Sequence, residues 1–122
     1  MRICGFDHVQ LAIPAGGEPA ARTFYADVLG LTEIPKPEPL AARGGCWFQG
    51  DNVQIHIGAD PDFRAARKAH PALLVDDLPA LARALEAAGH LVREGNTING
   101  RVQQFVDDPF GNRIELVAAS VD

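Results

Sequence analysis

His8-Val9-Gln10-Leu11-Ala12-Ile13 near the start of the chain and His70-Pro71-Ala72-Leu73-Leu74-Val75 past its middle open alike, each with a histidine ahead of a short apolar stretch. Alternation with a period of two marks a strand whose successive side chains leave opposite faces. In the first stretch Val9, Leu11 and Ile13 share one face, and His8, Gln10 and Ala12 the other. In the second, Pro71, Leu73 and Val75 oppose His70.

The segments beyond these two strands also repeat. After the first, Pro19 opens a helix from about 19 to 29, with Phe24, Tyr25, Val28 and Leu29 at helical spacing and Gly30 as a left-handed stop. After the second, Asp77 caps a helix whose buried stripe is Leu78, Leu81 and Leu85 and which ends at Gly89. Three further strands are expected in each half. In the first they are Leu31 to Ile34, Cys46 to Gln49 and Asn52 to Ile57, the last two joined through a two-residue hairpin signal at Gly50-Asp51. In the second they are Leu91 to Glu94, Val102 to Val106 and Arg113 to Ala118, with turns at Asn99-Gly100 and Asp108 to Asn112. Both halves therefore read βαβββ, residues 1–58 and 70–122, within one α+β domain. A duplication of this kind predicts two similar sheets related by a pseudo-twofold axis, with helices packed on the apolar face of each.

The totals agree with a globular chain of 122 residues, 47% hydrophobic and 22% charged. A formal charge of -5 offers no basic field, and apart from Arg64 to Lys68 the cations are scattered, so nucleic acid is excluded as a partner. No apolar run reaches membrane-spanning length. The amino-terminal stretch MRICGFDHVQLAIP is interrupted by Asp7, His8 and Gln10, unlike a secretory signal, and Cys4 and Cys46 stand apart as reduced thiols. A cytoplasmic setting is expected.

The chemistry lies at matched points of the repeat. His8 and His70 lead the first strand of each half, and His56 and Glu115 lie on the last strand of each, all on the face opposite the apolar stripe. A single strand histidine is ordinarily structural and Glu115 alone would be a solvated carboxylate. Four such residues at corresponding positions point to metal ligation. Three imidazoles and a carboxylate suit a borderline divalent ion (Zn, Ni, Fe(II), Mn or Co) and leave coordination positions open for substrate. Gln10, Gln54 and Arg113, two residues from a ligand on the same faces, are candidate substrate or supporting contacts, or simply polar residues facing solvent. The segments from Pro35 to Gly45 and Asn96 to Arg101 are candidate covers or ordinary connectors. Trp47, Phe48, Phe105 and Phe110 line a pocket or fill the core, with core favoured.

FDHVQLAIP, ARTFYADVLGL, NVQIHI, AHPALLVDD and FVDDPFGNRIELV, taken together, resemble the glyoxalase, bleomycin-resistance and dioxygenase group, the vicinal oxygen chelate superfamily, over essentially the whole chain. The resemblance implies ligands from the first and last strands of each half, which are His8, His56, His70 and Glu115. It also implies that the two modules form a cupped, mostly antiparallel sheet with helices on the outer face, and a homodimer, commonly with each site shared between subunits. Glyoxalase I has glutamate where this chain has His56, so the expected activity is broader: a metal-dependent lyase, isomerase or ring-cleaving dioxygenase acting on a small oxygenated metabolite. Glu115 or His56 would be its proton-transferring residue. The contrasting expectation is a non-catalytic drug-binding protein of the bleomycin-resistance type.

Overall fold

The computed structural model describes residues 1–120; positions 121 and 122, the end of the second expected module, lie outside the described residues. The chain divides into two compact units, Met1–Arg64 and Ala65–Asp122. Each has a four-stranded mixed sheet built from a βαβββ sequence.

In the first unit β1 (Val9–Ile13) leads into a helix that runs as an α-turn over Glu18–Ala21 and as a π-helix over Arg22–Val28, together α1. β2 (Thr32–Ile34), β3 (Cys46–Gln49) and β4 (Gln54–Ala59) complete the sheet in the order β1-β4-β3-β2. β1 pairs with β4 in parallel and the other contacts are antiparallel. The helix stops where expected: Gly30 takes φ 79° while its N–H and that of Leu31 donate to Ala26 and Tyr25 carbonyls. Its wide final turns, with Leu29 N–H donating to the Phe24 carbonyl at 2.9 Å, were not expected. They accompany two adjacent aromatic residues, Phe24 and Tyr25, both fully buried, with Tyr25 stacked on Phe48 at 5.7 Å between centroids.

Leu11, Ile13, Ala21, Cys46, Ile55 and Ile57 fill the rest of this core. Each large aliphatic side chain so buried contributes about 1.5–3 kcal/mol. Burial pushes the Cys46 thiol up to about 11, leaving it an inert packing group. Gly45 fixes the entry to β3: at φ 82° any Cβ would stand 2.0 Å from the Ile57 carbonyl oxygen, and its N–H donates to Glu18 at 3.0 Å. The β3–β4 connection spans residues 50–53, closed by Gly50 N–H to the Val53 carbonyl, rather than the two residues Gly50-Asp51 suggested.

The second unit repeats the topology with β5 (Ala72–Val75), α2 (Leu78–Ala87), β6 (Arg93–Ile98), β7 (Arg101–Asp107) and β8 (Arg113–Ala118), ordered β5-β8-β7-β6 with β5 and β8 parallel. Asp77 caps α2 by accepting from Ala80 N–H. Leu78 and Leu85 are buried, Leu81 only partly. The second strand of this unit lies later than the sequence suggested, at Arg93–Ile98 instead of Leu91 to Glu94. Leu91 is exposed, and pairing with β7, not local hydrophobicity, fixes where that strand begins. The Asn99-Gly100 turn has both residues at positive φ, as a tight hairpin requires.

Asp108 and Asn112 are buried in the turn between β7 and β8. Asp108 accepts from the N–H groups of Phe110 and Asn112 and from the Asn112 carboxamide. Asn112 in turn accepts from Ala66 N–H at 2.9 Å, while Arg113 N–H donates to the Ala66 carbonyl. This polar knot ties residues leading to His70 onto the end of β8. Within the described residues no helix is long and apolar enough to cross a membrane.

Candidate functional site

The structure gathers the four sequence-marked donors as two pairs, one in each unit. His8 and His70 do not open their strands: His8 immediately precedes β1 and His70 stands two residues ahead of β5. The first lies beside the last strand of its own sheet through the parallel β1–β4 pairing. The second is likewise placed by the β5–β8 pairing, extended by Glu115 N–H donating to the Pro71 carbonyl. Among the described residues no group of three or more His, Cys, Asp or Glu side chains stands together to hold a metal.

In the second unit His70 Nδ1 lies 2.8 Å from the Lys68 carbonyl oxygen and Nε2 2.9 Å from Glu115 Oε1. A carbonyl oxygen only accepts, so Nδ1 carries the hydrogen and the neutral ring would aim the Nε2 lone pair at a carboxylate oxygen. Two acceptors at that distance require a cation between them, either a proton or a metal ion. Glu115 Oε2 accepts from the Gln103 carboxamide at 2.9 Å, and Gln103 accepts in turn from Asn96 N–H at 3.0 Å. The Gln103 hydrogen bond, opposed by burial and reinforced by His70, holds the Glu115 carboxyl below its ordinary range. The edge of Phe105 faces the His70 ring at 5.9 Å.

In the first unit three rings lie in a stack. Trp47 and His56 are 3.7 Å apart and 7° from parallel; His56 and His8 are 3.9 Å apart and 13° from parallel. His56 sits on β4 between Gln10 of β1 and Trp47 of β3, and is only 5% exposed. Its burial, then the adjacent His8, lower its pKa, favouring the neutral ring at pH 7. Gln54 Oε1 meets His56 Nε2 at 2.9 Å, so that nitrogen donates and Nδ1 keeps the lone pair. His8 Nδ1 meets Asp7 Oδ2 at 2.8 Å, leaving Nε2 as its lone-pair nitrogen.

The supporting residues divide differently from the sequence reading. Gln54 bonds to the His56 ring, while Gln10 lies over Gly58, where a Cβ would come within 2.6 Å of its amide nitrogen. Arg113 shares the face of Glu115 and pairs in register with Asp107, which is already bonded to Arg67 and Arg93. Gln103 was missed; only its position on β7, two residues from Phe105 opposite Glu115, could have signalled it. Trp47 and Phe105 flank the donor pairs, whereas Phe48 is core, as favoured. The segment from Asn96 to Arg101 is not a loop but the tip of the β6–β7 hairpin.

Paired βαβββ units, each carrying a histidine on the approach to its first strand beside a donor on its last, define the class as a vicinal oxygen chelate protein. More narrowly, the chain belongs to the Glyoxalase/Bleomycin resistance protein/Dioxygenase superfamily, whose family model matches residues 5–116. A solved glyoxalase family protein from Bacillus anthracis is 43% identical, with a TM-score of 0.93 and 98% of each chain covered. The fosfomycin resistance protein FosX from Listeria monocytogenes shares the fold at 16% identity and a TM-score of 0.76, covering 98% of this chain and 96% of that one. An integron cassette protein from V. cholerae does so at 22% identity and 0.74, covering 98% of each. No curated protein matches the sequence.

Proposed function

We propose that the protein is a metal-dependent enzyme of this superfamily, of lyase, isomerase or ring-cleaving type, acting on a small oxygenated metabolite. His8, His70 and Glu115 are its ligands, with His56 as the fourth donor through Nδ1 or, when unligated, the neutral base. The observation that carries this is His70 Nε2 facing Glu115 Oε1 at 2.9 Å with Nδ1 bound from behind by a carbonyl. That rear contact is the support a metal-bound imidazole needs to fix its tautomer, and Asp7 supplies the same to His8. The lowered pKa values of Glu115 and His56 keep both in the deprotonated forms that ligation requires. The donor set therefore fits a borderline divalent ion.

When bound, such an ion polarises vicinal substrate oxygens and stabilises negative charge developing on them. The chain's own part is to orient and to move protons. Gln103 holds Glu115 in one rotamer through Oε2, leaving Oε1 toward His70. Trp47 and His8 confine the His56 ring between them, so that a proton taken there arrives at Nδ1. The apolar Trp47 face excludes water from one side of that ring. We further propose a homodimer with the site shared between subunits and a cytoplasmic setting, the first supported by exposed Phe6, Leu74 and Ile98, the second by two free thiols. The modules 1–58 and 70–122 act as one functional domain.

Calorimetric titration of metal-free protein with Ni(II) and with Mn(II) tests this. Saturable binding, lost in His70→Ala, is expected. Absence of binding for every borderline divalent ion would discard the enzyme reading in favour of a non-catalytic small-molecule binder.

A further inference from the structure

The second unit contains a basin of about 400 Å³ walled by Ile98, Asn99, Arg101, Gln103, Glu115 and Val117. Glu115, held by Gln103, forms one end. At the other, the Asn99-Gly100 turn reverses the chain and delivers Arg101 as the first residue of β7. Arg101 and Gln103 are two residues apart on that strand, so their side chains leave the same face. At a rise of about 3.4 Å per residue, the Arg101 backbone stands roughly 7 Å beyond that of Gln103.

Two charged side chains line this basin, Glu115 and Arg101. Glu115 is paired with His70, while Arg113, the other cation on the Glu115 face, lies toward Asp107 and outside the basin lining. Among the described residues the Arg101 side chain makes no hydrogen bond or ion pair. Ile98 and Val117 supply the apolar wall between the two polar ends. The result is a cup with oxygen-ligand chemistry at its floor and a guanidinium at its rim, whose planar fork suits a carboxylate.

We propose that this basin binds a small organic dianion of the 2-oxo or 2-hydroxy dicarboxylic acid class. Its vicinal oxygens point toward Glu115 and its far carboxylate rests on Arg101. The near end rests on the metal reading, because Glu115 repels an anion unless a cation stands between them. The far end depends on Arg101 alone.

The test is calorimetric titration of Mn(II)-treated, desalted full-length protein with 2-oxoglutarate and with its 5-methyl ester, which keeps the 2-oxo acid and loses the far charge. Wild type should bind 2-oxoglutarate at least about tenfold more tightly, the factor a charge-assisted hydrogen bond supplies. Arg101→Met should bind the two equally, and Arg101→Lys should keep part of the preference. Equal affinities in wild type, a preference intact in Arg101→Met, or no binding of either compound would overturn the proposal. Retained preference in protein that takes up no Mn(II) would sink the metal reading and leave the anion site standing; Mn(II) uptake without preference would do the reverse.

Discussion

Replacing Gln103 with leucine removes the carboxamide donor to Glu115 Oε2 while roughly keeping the size of the side chain. The bond it breaks is 2.9 Å long, and the Glu115 side chain is only 16% exposed, so water replaces the donor poorly. A hydrogen bond to a charged group contributes about 1.5–3 kcal/mol, and the exposed Asn96 N–H that Gln103 also serves adds little. With a urea slope of roughly 1–3 kcal/mol per molar, a loss of about 2 kcal/mol lowers the unfolding midpoint by about 1 M at pH 7. The loss must also depend on pH. Glu115 has a folded pKa below its ordinary 4.5, so its stabilisation is complete above that pH and disappears as pH falls through the folded value. Gln103 is the largest cause of the depression, so the difference between wild type and variant should narrow below about pH 4.5. Urea unfolding followed by circular dichroism at pH 7, 5 and 3.5 measures this. No difference at pH 7, or one unchanged at pH 3.5, would refute the reasoning.

Three further outcomes are expected. Asn112→Ala removes the acceptor of the half-buried Ala66 N–H and the carboxamide donor to buried Asp108 Oδ2, leaving Asp108 its two backbone donors, and should cost about 1–3 kcal/mol in urea unfolding, whereas no loss would show that the turn does not anchor the segment before His70. In metal-free protein the His56 ring should titrate by NMR below its ordinary 6.5, so wild-type stability is full above that pH and declines as pH falls beneath it, a decline that His56→Gln should flatten; a midpoint at or above 6.5 contradicts the buried stack. Gly16→Ala, at φ 84° with open space around it, should cost about 1–2 kcal/mol, while Gly45→Ala meets a backbone oxygen and should cost far more, so equal losses would contradict the packing of β3 on β4.

The duplication was legible because period-two alternation and helix punctuation are local signals, and Gly30, Asp77 and Asn99-Gly100 do what their chemistry predicts. Strand ends were less legible. β6 begins at Arg93 and runs through exposed polar residues to the Asn99-Gly100 turn because β7 pairs with it across that hairpin; the turn was legible, but no alternation of apolar residues marks the strand's extent. The π-helix was hidden for a similar reason: burying both Phe24 and Tyr25 is a demand of the sheet beneath, not of helix propensity. At the site, the positions of His8, His56, His70 and Glu115 came from strand period and repeat. Their partners did not, since Gln103 reaches Glu115 across strands and Trp47 covers His56 from β3. Burial of His56 on the polar face was also unforeseen, because alternation assigns a face without saying what covers it.

The proposed metal reading assigns His8, His56, His70 and Glu115 to one ion. Elemental analysis of protein purified without an affinity tag, comparing wild type with His8→Ala and Glu115→Ala, tests it most directly because each substitution removes a donor from a different unit. One divalent ion per chain is expected in wild type, lost in both variants. An ion retained in full by either variant, or none in wild type even after reconstitution, would contradict it.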